Sequence, residues 1–139
     1  MRAWPLSLLV AAVGCASATR EPTAHLPPGG VLITQVQIEK SGGHTAWEVL
    51  KRTAPMLTFR ESRSGRPSSL GRRGPSSISL NDPPLIILDG VRESDFRVLD
   101  NVPATTILSI YILTGIEGTT YYGTDAVSGV IVIRTKDGT

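Results

Sequence analysis

At 139 residues the chain has room for one domain with a small core. Its 14 basic and 12 acidic residues leave a formal charge of +2, too small an excess for the concentrated basic face that nucleic-acid binding needs, and its single cysteine excludes an intrachain disulfide. A hydrophobic share of 40% with 5% aromatics, set beside 14 Gly and 10 Pro, points to Ile, Val and Leu strands broken by many turns.

The chain starts with Met1-Arg2, a short positive start, followed by an apolar stretch from Ala3 to Val13 and the small residues Ala12-Val13-Gly14 just before Cys15. That order resembles a bacterial lipoprotein signal peptide, in which residues 1–14 are removed and the Cys15 thiol carries the lipid at the mature N-terminus. An ordinary secretory signal with Cys15 incidental is the alternative, because Pro5 interrupts the stretch and Ala12 stands where such signals prefer Leu. The eleven residues from Ala3 to Val13 are too few for a spanning helix, which takes about 20. By the same resemblance, Ala16 after the cysteine favours sorting to the outer membrane. Residues 15–30, with Pro27-Pro28-Gly29-Gly30, read as a flexible tether.

The fold then opens with Val31-Leu32-Ile33-Thr34 as a strand expected to reach Ile38, and Ser41-Gly42-Gly43 turns the chain. Thr45 and Glu48 have the spacing of a capping box, which predicts a short helix with Ala46, Val49 and Leu50 on one face. Pro55 ends it, since a residue before proline is pushed out of the helical region. Met56 to Phe59 reads as a strand. Residues 60–75 carry Arg60, Arg63, Arg66, Arg72 and Arg73 against Glu61 alone, a composition that predicts a mobile basic loop. Its functional alternative is contact with anionic lipid headgroups or an acidic partner; nucleic acid is disfavoured because the run has no aromatics.

Asn81-Asp82-Pro83-Pro84 makes a turn into the apolar run Leu85 to Leu88, and Asp89-Gly90 is a hairpin signal. Helical turns are expected at Asp95 to Asn101, packing Phe96 and Leu99, and at Pro103 to Thr106. The runs Ile107 to Leu113 and Gly129 to Lys136 are apolar on both alternate faces and so should be covered on both sides. Gly115 to Gly123 is a turn or short helix between them.

Catalytic chemistry finds no support in these residues. His25 and His44 have no second ligand at metal spacing, and read as exposed loop residues. Asp89 fits a turn cap better than a catalytic carboxylate. Ser76, Ser77 and Ser128 have no His/Asp relay, and the stretch Gly115 to Gly129 lacks the lysine of a phosphate-binding loop. Tyr111, Tyr121 and Tyr122 read as core and rim aromatics. No cofactor or metal is expected.

The punctuation of the second half forms an ordered set. Arg73-Gly74 is followed by Pro84-Leu85 leading into Asp89-Gly90-Val91, then Tyr122-Gly123, then Gly129-Val130-Ile131 ending in Thr135-Lys136-Asp137-Gly138. In this order, residues 31–139 resemble the plug domain of TonB-dependent outer-membrane receptors. The resemblance implies an α+β fold, with a mixed β-sheet and short helices, and binding without catalysis. It also implies an outer-membrane location and a barrel or accessory protein as partner. Leu108, Tyr111 and Thr114 depart from it, standing where the family often has two acidic residues and a lysine; that face either meets something new or simply packs. Nothing in the chain supplies the eight or more strands of about 9–11 residues that a membrane barrel needs. The expectation is therefore a lipid-anchored, non-enzymatic, plug-like accessory of outer-membrane receptor or transport systems. The alternative is a structural or self-associating envelope lipoprotein that pairs through its strand edges.

Overall fold

The computed structural model describes residues 28–73 and 83–138. The expected signal peptide, Cys15, most of the tether and Gly74 lie outside the described residues. Among the described residues thirteen short elements run from strand β1 (Val31–Thr34) to a last strand at Val130–Thr135. Helix α1 (Gln35–Ser41) follows β1 directly, so the first strand is shorter than expected. The alternation Val36, Ile38 fits a strand, but the Gln37 side chain accepts a hydrogen bond from the Thr34 N–H at 2.9 Å and starts a helix instead. Helical geometry then sends the two apolar residues apart: Ile38 is 1% exposed and Val36 57%.

Helix α2 (Ala46–Thr53) begins as expected, with Thr45 Oγ1 accepting from the Glu48 N–H, while the Glu48 carboxylate accepts from the His44 N–H at 2.9 Å. Its buried stripe is Ala46, Trp47, Val49 and Leu50. Strands β2 (Leu57–Glu61) and β3 (Pro67–Arg72) then form an antiparallel hairpin. Among the described residues this corrects the expected mobile basic loop over 60–75, since 60–61 and 67–72 are strand. The irregular part is the turn at 62–66, closed by the Ser62 N–H on Arg66 O at 2.9 Å with Gly65 at φ +76°. Composition undervalued Leu70, which sits opposite Phe59 and is 2% exposed; together with buried Pro67 it holds β3 against the core.

Strands β4 (Leu85–Leu88) and β5 (Val91–Glu93) flank the Asp89-Gly90 turn, where both residues have positive φ, as a two-residue hairpin requires. The expected helical turns are 3-10 turns at Phe96–Asp100 and Ala104–Thr106. Strand β6 (Ile107–Leu113), helix α3 (Gly115–Tyr122) and strand β7 (Val130–Thr135) complete the chain. The main sheet has the order β1-β6-β7-β4-β5. It is mixed: β4 runs parallel to β7, and its other neighbours are antiparallel. Its edges, β1 and β5, are only four and three residues long, which leaves little template for pairing between copies.

Both faces of the central strands are covered, as their composition predicts. One face sends Ile33, Ile86, Ile110, Ile112, Ile131 and Ile133 into a core closed by α1, α2, the Phe96–Asp100 turn and the hairpin. The other sends Ile87, Tyr111, Leu113, Val130 and Val132 against Ala126 and Tyr122, beside α3. Burial of a side chain of this size contributes roughly 1.5–3 kcal/mol, so the sheet centre carries much of the stability.

Candidate functional site at the two ends of the sheet

The topology divides the motif residues between the two ends of the sheet. Because β4 and β7 are parallel, Pro84, Leu85 and Gly129 meet at their shared start, and Asp89 and Thr135 meet at their shared finish. At the start, the Leu85 N–H donates to Gly129 O at 3.0 Å, and Gly129 has φ +102°. Pro84 is buried beside them. A small apolar cavity of about 120 Å³ lies here, lined by Pro84, Gly129, Val31 and Ile112 and by Met56 and Leu57 of the hairpin region. Arg73 stands at the end of the hairpin, exposed, with its N–H on Met56 O at 2.7 Å.

At the finish, Asp89 acts as a clasp. Its carboxylate accepts from the Thr135 N–H and from the Thr135 hydroxyl, both at 2.7 Å. A β-carbon at Gly138 would collide with that carboxylate, so glycine lets the chain pass close to it. Lys136 secures the neighbouring strand: its N–H reaches Thr106 O at 2.8 Å and its Nζ reaches Thr105 O at 2.7 Å. Gly90, beside Asp89, has open space where its side chain would be, so only its φ of +84° demands glycine. Replacing Asp89 by alanine should cost about 1–2 kcal/mol, because the strand end loses both acceptor contacts. Urea denaturation should show Asp89→Asn losing less than Asp89→Ala; equal losses would discount the clasp.

Tyr122 and Gly123 belong to neither end. They close α3, with the Gly123 N–H on Thr119 O at 3.1 Å and φ +87°. Arg92 of β5 ties them to the sheet by donating to Tyr122 O at 2.7 Å, and it lies 3.5 Å from Asp125. Between α3 and the clasp is an open depression of about 570 Å³, with Ile87 and Val132 on its floor and Asp89, Arg92, Tyr122 and Arg134 around it. Among the described residues the Arg134 guanidinium has no hydrogen-bond or ion-pair partner. Among the described residues the depression thus combines an unpartnered guanidinium, the paired Arg92 and an apolar floor, and no nucleophile–base pair gathers there. Among the described residues no group of three His, Cys, Asp or Glu side chains gathers to hold a metal.

Two of the three departures have a structural use. The Tyr111 hydroxyl accepts from the Gly30 N–H at 3.0 Å, and a β-carbon at Gly30 would press on the Tyr111 ring at 2.5 Å. Thr114 precedes α3, with its N–H on the Glu117 carboxylate at 3.0 Å. At these two positions the face packs, and Leu108 is partly exposed. Tyr111 was legible only as an aromatic; its role in seating residue 30 has no local signal. Thr114-x-x-Glu117 did carry one, the capping-box spacing that also marks Thr34-x-x-Gln37. Arg92 and Arg134 carried none.

A family model covers most of this fold, from the residue before Gly29 to the start of β7. The TonB-dependent receptor plug domain matches residues 28–130. The chain belongs to that family. The plug's homologues include a rhizobactin receptor of Rhizobium meliloti, 34% identical over 108 residues that make up 75% of this chain and 13% of the receptor. A vitamin B12 transporter BtuB of Vibrio vulnificus is 31% identical over 108 residues, covering 75% of this chain and 17% of the transporter. Among solved structures, the siderophore receptor PirA from Acinetobacter baumannii superposes with a TM-score of 0.56 at 26% identity, covering 80% of this chain and 18% of that one. The RagAB peptide importer gives 0.60 at 20% identity over 78% of this chain and 12% of that one, a likeness of fold alone. The plug chain therefore spans less than a fifth of each of these four proteins. Plug domains of this family sit within outer-membrane barrels and serve reception and transport rather than catalysis.

Proposed function

We propose that this plug domain works as a non-enzymatic binding module, lipid-anchored through Cys15, that serves an outer-membrane receptor or transport system as an accessory. The observation that carries the reading is the depression between α3 and the Asp89–Thr135 clasp. It holds a cation with no partner among the described residues above an apolar floor, at the end of a sheet whose family docks inside barrels. A separate barrel or accessory protein is the partner such a surface fits. The anchor is supported by the charge, apolar stretch and small residues that precede Cys15. Stable attachment would follow from two or more acyl chains, since one gives only marginal binding.

Two measurements test the two halves separately. Mass spectrometry of the mature N-terminus should find a diacylglyceryl group on Cys15; an unmodified N-terminus elsewhere removes the anchor. Affinity purification from detergent-solubilised outer membrane should recover a barrel protein, and Arg134→Glu should reduce its yield. Recovery of the plug protein alone would defeat the partner assignment.

A further inference from the structure

The hairpin of β2 and β3 segregates charge in a way the sheet does not need. Residues 57–73 hold five arginines and one glutamate, in a chain whose formal charge is only +2, so the rest of the molecule is net acidic. That one glutamate is already occupied. The Glu61 carboxylate accepts from Lys51 Nζ at 2.8 Å and from the Trp47 indole N–H at 2.9 Å, contacts that hold it below its ordinary value. Among the described residues the guanidinium groups of Arg60, Arg63, Arg66, Arg72 and Arg73 have no hydrogen-bond or ion-pair partner, and all five residues are exposed.

Their presentation is set by the strands. Phe59 and Leu70 face each other toward the core, which turns the Arg60–Ser69 pair to the opposite, outer side. Arg63 and Arg66 stand in the hydrogen-bonded turn at the tip. Among the described residues the exposed large apolar side chains all lie elsewhere, so this surface offers charge without a greasy wedge. Arginine's planar fork matches phosphate oxygens two at a time, whereas a protein partner would be expected to bury an apolar centre as well.

We infer that the β2–β3 hairpin is a second membrane contact, binding the phosphate groups of an anionic lipid surface through Arg60, Arg63 and Arg66. The inference rests on the anchored-accessory reading. An anchored domain is held within reach of headgroups, and a cationic patch beside an acyl anchor strengthens and orients attachment. With no apolar insertion, the contact is electrostatic and salt-labile.

The test is flotation of the full chain with vesicles of phosphatidylcholine alone and of phosphatidylcholine mixed with phosphatidylglycerol. Any acyl anchor or apolar leader contributes to both, so the ratio between them reports the hairpin. At low salt the anionic vesicles should bind at least about tenfold more protein, and the preference should vanish near 1 M salt. Changing Arg60, Arg63 and Arg66 together to Gln should abolish it, and changing them to Lys should keep most of it, with circular dichroism confirming the fold of both. Equal binding to the two vesicles, or a preference that survives the glutamine variant, would overturn the proposal. So would a soluble polyglutamate binding as tightly as anionic vesicles, which would assign the patch to an acidic protein. Failure of the anchor itself appears in the N-terminal mass and leaves the ratio unchanged.

Discussion

Trp47→Ala is expected to lose about 3–5 kcal/mol of stability, enough to leave a domain of this size barely folded. Trp47 is 1% exposed and sits where helix α2, the hairpin and the Phe96–Asp100 turn pack together. Its ring meets Phe59 of β2 edge-on at 4.9 Å and lies over Phe96 of the 3-10 turn at 6.2 Å. Its indole N–H donates to Glu61 at the end of β2. Alanine would open a cavity beneath the hairpin and remove a donor from Glu61 at once. Trp47→Phe keeps much of the volume and loses the donor, so it should cost clearly less; near-UV circular dichroism during urea denaturation separates the two. There is also a pH signature. The Glu61 carboxyl is held below its ordinary value by Lys51 first and Trp47 second, so its contribution is present above the unfolded carboxylate range. It is lost as pH falls through the lower, folded value. Trp47→Phe should move that loss to higher pH. If the alanine variant unfolds at the wild-type urea midpoint, Trp47 is not the linchpin of the helical face.

How far the fold was legible follows from which residues act locally. Asp89-Gly90, Thr45-x-x-Glu48 and Pro55 each decide their own backbone within a few residues, and each stands where the sequence predicts. The doubly covered strands β6 and β7 were legible for the same reason, since continuous apolar runs leave no solvent face. The errors came where a pattern was ambiguous or a contact distant. Gln35 to Ile38 alternates like a strand, and only the Gln37 side chain on Thr34 decides for a helix. The polar stretch over 60–75 looked unfoldable because its one large apolar residue, Leu70, is held by Phe59 eleven positions earlier in the chain. The candidate site was legible as a set of motif positions and not as a surface. Nothing in Arg92 or Arg134 announces that parallel pairing of β4 and β7 will bring them beside Asp89.

The opposite end of the sheet yields the second large effect. Gly129→Ala should destabilise by about 3 kcal/mol or more, because two separate demands fall on one residue. Its φ of +102° lies where side chains are strained, and a β-carbon would stand 2.8 Å from the Leu113 carbonyl oxygen, a backbone atom that cannot swing aside. Two other glycines divide these demands. Gly90 has φ +84° and open space around it, so Gly90→Ala measures conformation alone. Gly115 carries no positive φ, but its β-carbon would collide with the Val127 carbonyl, so Gly115→Ala measures contact alone. The loss at Gly129 should exceed that at Gly90 by roughly the cost of the contact. The consequence extends past stability. Gly129 O accepts the Leu85 N–H, and its N–H donates to Ala126 O at 2.9 Å, so one residue sets where β4, β7 and the end of β6 meet. Moving it should disturb the parallel register that delivers Asp89 to Thr135 at the far end. Hydrogen exchange in Gly129→Ala should therefore quicken at the Thr135 amide as well as at Leu85. Exchange that quickens only at Leu85 would show that the two ends of the sheet are independent, and the clasp would then owe its geometry to the Asp89-Gly90 turn alone.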